Sequence, residues 1–465
     1  MPRITVVVGL CMAGWGVAAA SAAATTGPAV DLQTVPLTTM PAAASRSAPI
    51  VTADGNHIAC VVRAEPGRMT VMLDGKVVGS HPWILPHSLV IAPNSRRMAY
   101  VVQANNTMLV QLDGQAGPAF HELDTAGVVF SPDSQRVAYR ASRGSDQWQI
   151  VIDGTPGKTY TQVGRPQFSP DSRRYAYLAT TGKQWFYVID GKEHGPFEGA
   201  MLGCPVFSPD SQRVGYGIKQ NGKMRMVIDG KEGPVFDELA LGTPIFSPNS
   251  QRVAYAGLRD GKALFVTDGV ESAPYDTLGL PAFSPDSKRM ACAVGKDGRR
   301  RMWLDGQEIG QYDTASVALF SPDSRRVAWR AGRGKQSLVV LDQQEGPLHE
   351  AVLDTSMIFS PDSKRFAYIY RPEATSERSV AMVDAKPQAS YDLIAPLPVF
   401  SPDSRRVVYG ARRQRQGMLV IDGQEVGSFE VLVGWPLLFA GNDTFSTLAL
   451  SGEQVLKITA RLKPQ

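Results

Sequence analysis

Between residues 166 and 205 short apolar runs alternate with polar breaks. PQFS is a first run, and PDSR reads as a turn, with Pro170 preset for its second position and Asp171 able to bond its own backbone. RYAYLAT is a second run rich in β-formers, and TGK breaks it. QWFYVID is apolar almost throughout, and DGK reverses the chain, since Asp-Gly suits the tight primed turns of hairpins. EHGPFEGAML supplies a weaker fourth run before GCP leads into the next copy. Nothing in the stretch has helical spacing, so the pattern predicts four short antiparallel strands.

The unit recurs. Its proline stands at positions 93, 132, 170, 209, 248, 285, 322, 361 and 402, a period near forty residues, and degenerate copies begin at Ile50 and Leu437. Such a period marks a repeat architecture, and four-stranded antiparallel units at this spacing describe propeller blades. One blade cannot hide both faces, whereas stacked neighbours can. The Phe two residues before the proline (130, 168, 207, 246, 283, 320, 359, 400) and the aromatic of the VAY segment (Tyr139, Tyr177, Tyr255, Trp329) are the expected interblade layer. Each buried ring contributes about 1.5–3 kcal/mol. The expected fold is all-β, a β-propeller of about 10–11 four-stranded blades. No linker or spacing jump marks a seam, which favours one large ring over two smaller propellers. The last copy has no clear fourth strand, and the segment preceding the repeats is the candidate to supply it and lock the ring.

The FSPDS-x-R-VAY core resembles the TolB-like, WD40-like β-propeller repeat, whose usual form is a strand, S-P-D-G and an IAF-type strand. The resemblance covers residues 50–460. Ser replaces the usual Gly after Asp, as at Ser134 and Ser172, and VIDGK followed by EGPxFD is stronger than in the general pattern. The resemblance implies binding or scaffolding more often than catalysis, although a fold does not by itself fix function.

Composition changes this picture little. The 465 residues are 43% hydrophobic, enough for a core, and the net charge of +4 makes no case for nucleic acid. The start, MPRITVVVGLCMAGWGVAAASAAATTG, has a positive residue, an apolar run and A-x-A small residues, the pattern of a secretory signal peptide over residues 1–24. Residues 25–49, rich in Thr, Ala, Pro and Ser, read as a flexible leader with room for a short strand near Val30–Val35. The repeats fill residues 50–462, and no later segment is long and apolar enough to cross a bilayer. The expected location is periplasmic or extracellular. Three cysteines remain after cleavage, Cys60, Cys204 and Cys292, an odd number that fits buried small hydrophobes better than a disulfide framework.

Candidate chemistry is sparse. The Asp after each proline (133, 171, 210, 286, 323, 362, 403) reads as turn chemistry rather than as calcium ligands, because it repeats in nearly every unit. The Arg four residues after the proline and the Asp of the DG turn share one face and are expected to pair. The loops between the second and third strands point to the other face and vary most. Several are basic, with Arg140 and Arg143, Arg299, Arg300 and Arg301, Arg330 and Arg333, and Arg412, Arg413 and Arg415. These ten are the candidate binding residues, for a protein partner or an anionic envelope polymer, against the plainer role of solvation and edge protection. There is no G-x-S-x-G elbow, no H-E-x-x-H and no Gly-rich phosphate loop. No catalytic residue, metal or cofactor is therefore expected. The expected function is an exported, non-catalytic binding or scaffolding propeller, and the alternative is a propeller-type polysaccharide hydrolase or lyase.

Overall fold

The computed structural model describes residues 30–39, 47, 49–52, 54–65, 67–85, 87–124, 127–203, 205–373, 378–432 and 437–463. The expected signal peptide and Cys204 lie outside them.

Eleven antiparallel sheets follow one another along the chain. They are numbered here as blades 1 to 11: 50–81, 83–120, 122–156, 162–197, 199–236, 238–271, 277–312, 314–345, 351–391, 393–429 and, last, 431–462 joined by Val30–Thr39. The turns set this geometry. In the DG turn both central residues take positive φ, as in Asp190 (51°) and Gly191 (81°), which is the primed hairpin turn that Asp-Gly favours. The turns between second and third strands use the same device, for example Asn221 (51°) and Gly222 (72°).

The innermost strand differs from the single run expected. In blade 5 it is two pairs of residues, Gly199–Ala200 and Val206–Phe207, joined to opposite halves of Val214–Gln220. Leu202 and Gly203, the latter at φ 85°, form a turn after the first pair. Leu202 is 66% exposed there, and its counterpart in blade 6, Leu241, is 68% exposed.

An apolar cluster spans every junction between neighbouring blades. Blades 1 and 2 share Val61, Val71, Ile84 and Tyr100, blades 7 and 8 share Met302, Tyr312, Trp329 and Val340, and blades 9 and 10 share Ile369, Tyr391, Tyr409 and Val420. Blade 11 packs on blade 10 through Phe445, Leu462, Val408 and Ile421, and on blade 1 through Leu448, Val455, Ile58 and Cys60. The molecule is therefore one closed β-propeller of eleven blades. The VAY aromatics lie in this layer as expected, with Tyr139, Tyr177, Tyr255 and Trp329 all buried. Cys60 and Cys292 are buried too.

The leader expected to be flexible holds a ten-residue strand, Val30–Thr39, longer than the short one allowed for near Val30–Val35. It pairs antiparallel with Gln454–Leu462, from Val30 opposite Leu462 to Thr39 opposite Gln454. It is the outer strand of blade 11, so the N-terminal region closes the ring.

Candidate binding face

The two faces of the ring are built differently. One carries the SPDS turns and the DG turns, and its side chains are bound into the scaffold. In blade 4, Ser169 Oγ donates to Asp171 Oδ1 (2.6 Å) and accepts from the Arg174 amide (2.9 Å). The Ser169 hydroxyl first, and next the Arg173 amide, which donates to Asp171 Oδ1 at 3.1 Å, hold the Asp171 carboxyl below its ordinary range. The Asp171 amide reaches into blade 5 and donates to Ser211 Oγ at 2.9 Å. Ser211 sits at φ 67°, a left-handed position that normally favours glycine. The serine at this left-handed position is thus a tie between blades, repeated from Asn94–Ser134 to Asp362–Ser404.

Arg174 makes a second tie. Its Nε donates to Asp190 Oδ2 of its own blade (2.8 Å), and its Nη1 donates to the Ser211 and Gln212 carbonyls of the next (both 3.0 Å). Its guanidinium lies 5.0 Å from the centre of the Phe207 ring. The same arrangement runs from Arg97 to Arg365. The recurring Phe therefore packs under the preceding blade's arginine, and of the eight expected in the interblade layer Phe246, Phe320, Phe359 and Phe400 are buried whereas Phe130, Phe168, Phe207 and Phe283 are half-buried. Blades 1 and 10 depart from the pattern. His57 Nδ1 faces Asp74 at 2.6 Å, and Arg406 Nη2 donates to the Lys463 carbonyl at 3.3 Å.

The opposite face carries the turns between second and third strands, and most of the ten candidate arginines there are engaged within the protein. Arg140 pairs with Asp124 at 3.1 Å and lies over Trp148. Arg143 Nε donates to the Gln149 side-chain oxygen at 3.1 Å, in the orientation where the Gln149 amide also donates to the Gly157 carbonyl. Arg299 pairs with Asp313, Arg301 with Glu308 at 3.7 Å, and Arg330 with Asp354. Arg333 pairs with Glu345 and covers Tyr312 of the preceding blade, and Arg413 does the same with Glu425 and Tyr391. Arg259, which sequence reasoning did not single out, holds the equivalent place over Phe236, paired with Glu271. The signal was present, because Arg259, Arg333 and Arg413 all stand eleven residues after the SPD or SPN proline. Arg300, Arg412 and Arg415 have no ion-pair partner among the described residues. The structure thus spreads the ten over blades 3, 7, 8 and 10, with Arg140 and Arg330 in mid-strand, opposite Ile150 and Val339, rather than in the turns.

Carboxylates on this face are mostly structural as well. Asp237 accepts from the Asp260 amide (2.9 Å) and pairs with Lys223, and Asp276 accepts from the Asp297 amide (2.9 Å) and pairs with Lys262 (2.7 Å). Their lysine partners, first, and these amides, next, lower both carboxyl pKa values. Among the described residues, no three His, Cys, Asp or Glu side chains stand where they can hold a metal ion.

No protein-family model matches the chain, and no curated protein matches it in sequence. Solved structures do. A crystal structure of the eukaryotic initiation factor aligns at 12% identity and TM-score 0.39, over 71% of this chain and 96% of that one. The Dos1 propeller aligns at 9% identity and TM-score 0.31, over 73% of this chain and 92% of the other. TolB from Acinetobacter baumannii aligns at 16% identity and TM-score 0.25, over 64% of this chain and 79% of TolB.

Proposed function

We propose that the protein is an exported, non-catalytic propeller that binds a protein or an anionic envelope polymer through the face carrying the second-to-third strand turns. One contrast carries this reading. The SPDS face repeats the same internal bonds from blade to blade, whereas the opposite face changes its loops and leaves Arg300, Arg412 and Arg415 without carboxylate partners among the described residues. A rigid ring with variable loops is the arrangement in which recognition is usually found. Three unneutralised guanidinium groups supply attraction for negative charge, and that attraction weakens as salt screens it.

The test is retention of anionic polysaccharide and of envelope proteins on immobilised full-length protein, at low and raised salt. The wild-type chain should retain material at low salt and release it at high salt. The triple variant Arg300→Gln, Arg412→Gln, Arg415→Gln should lose most of that retention. Failure of the wild type to hold anything, or equal retention by the variant, would sink the assignment of this face.

A further inference from the structure

We propose that the outer edge of strand Gln454–Leu462 is a strand-acceptor site, filled within one chain by Val30–Thr39 and open to the same segment of a second copy of this chain. Three independent observations on blade 11 lead there.

The first is how shallowly the donor strand is held. Of its ten residues none is buried and six are exposed, with Val35 at 55%. Its apolar anchors are Val30 and Leu32 against the blade 10 side and Leu37 against the blade 1 side. Its register slips between Pro36 and Thr38. Backbone pairing with Gln454–Leu462 therefore carries much of the attachment, and backbone pairing does not depend on which chain supplies the strand.

The second is where the interblade ties stop. The series of serine and arginine ties reaches blade 10 through Asp362–Ser404 and Arg365. Blade 11 reads Ala440-Gly441-Asn442-Asp443 where blades 3 to 5 and 7 to 10 read Ser-Pro-Asp-Ser, so Asp443 stands at the position of the tie serine. Arg406 turns instead to the Lys463 carbonyl, and a Lys457 Nζ donation to Asn56 Oδ1 at 2.5 Å spans the junction with blade 1.

The third is packing at that same junction. A small cavity between blades 11 and 1 is lined by Val51, Thr52, Gly55, Leu438, Ser446, Thr447 and Leu448. Thr447 Oγ1 is buried there with no hydrogen-bond partner among the described residues. An unsatisfied buried hydroxyl and incomplete packing both lower the cost of local opening. Along the chain, residues 40–49 connect the donor to blade 1, against which Leu37 also packs. Exchange of an identical segment between copies replaces every contact with its equivalent, which is why such exchange is a low-cost route to dimers.

The experiment mixes two full-length variants in a background whose four native cysteines are replaced by alanine, with Val35→Cys in one and Lys457→Cys in the other, whose positions face each other in the pairing. Opposite residues of antiparallel strands lie within disulfide reach. A mixture oxidised after incubation at increasing protein concentration should give a rising fraction of disulfide-linked heterodimer. A mixture of Val35→Cys with Val270→Cys, on the exposed outer strand of blade 6, should not. Amide exchange on the unmodified chain should show residues 30–39 and 454–462 opening at least tenfold more often than Lys231–Phe236 and its partner strand Lys223–Ile228. A single chain carrying both Val35→Cys and Lys457→Cys reports correct closure by forming its internal disulfide. If that bond forms while the mixture gives no more heterodimer than the control, or if residues 30–39 are protected as well as the other outer strands, the proposal is wrong.

Discussion

At the scale of single residues, the serine after each SPD is the position where chain identity and ring assembly meet. Ser211 holds a left-handed backbone conformation and accepts the Asp171 amide of the preceding blade. Ser211→Ala keeps the unfavourable backbone and loses the bond, at a cost of about 1 kcal/mol. Ser211→Gly loses the same bond but adopts the conformation freely, so it should fall between wild type and alanine. The reporter is the Asp171 amide, whose exchange should quicken in both variants. A glycine variant less stable than the alanine one would show that the backbone, not the hydroxyl, was misjudged. His349 sets a pH limit of the same local kind. It is buried at the junction of blades 8 and 9, stacked on Tyr370 and 3.1 Å from Tyr368 Oη. Burial lowers its pKa below the ordinary 6.5. The unfolded chain therefore binds the proton more readily, and the stability that neutral His349 provides is full above pH 6.5 and lost as pH falls below it. His349→Phe should flatten the dependence of melting temperature on pH between about 6.5 and 5, a window set by the ordinary histidine value. An unchanged slope would remove His349 from the account.

At the scale of the element, the EGP segment of the outer strand explains a pattern that the sequence displayed without its reason. A Cβ on Gly233 would stand 2.2 Å from Tyr255 Oη, the VAY aromatic of the next blade, and one on Gly79 would stand 2.1 Å from Tyr100 Oη. The glycine makes room for the neighbour's ring, so the motif encodes stacking. Gly233→Ala should destabilise the blade 5–6 junction by about 1–3 kcal/mol, and adding Tyr255→Phe should recover part of that loss in a double-mutant cycle of thermal stability. No recovery would mean that the Met226 carbonyl, 3.2 Å away, sets the limit instead. The same contrast shows what was legible from the chain. Strand type, turn type and the Arg–Asp pairs could be read, because each depends on residues within one repeat. The splitting of the inner strand, the role of the second serine and the reach of Arg174 to the Ser211 carbonyl could not, because their partners stand in the next copy. The candidate face was legible only as composition. Arg333 and Arg413 look like free charge in RAGRGK and ARRQRQG until Tyr312 and Tyr391 of the preceding blades are placed beneath them.

At the scale of the whole molecule, a ring of near-identical junctions makes energetic sense as a sum of nearest-neighbour terms, as in other repeat architectures. The arginine ties test this directly. Arg213 and Arg326 make the same set of bonds, each to its own blade's DG-turn aspartate and to two carbonyls of the following blade, three blades apart. Lysine keeps the charge but lacks the planar fork, so it can satisfy only part of that set. Both arginines are about one-quarter exposed and their aspartates more so, which keeps the expected loss near 1 kcal/mol per site. The two sites share no partner. Arg213→Lys and Arg326→Lys combined should therefore lower stability by the sum of the single losses, to within about 0.5 kcal/mol. Denaturant unfolding of the two single variants and the double variant decides the matter. A double loss well beyond the sum would mean that the ring transmits strain from one junction to another, and that blade-by-blade accounting, including the special weakness assigned to blade 11, needs a term for closure itself.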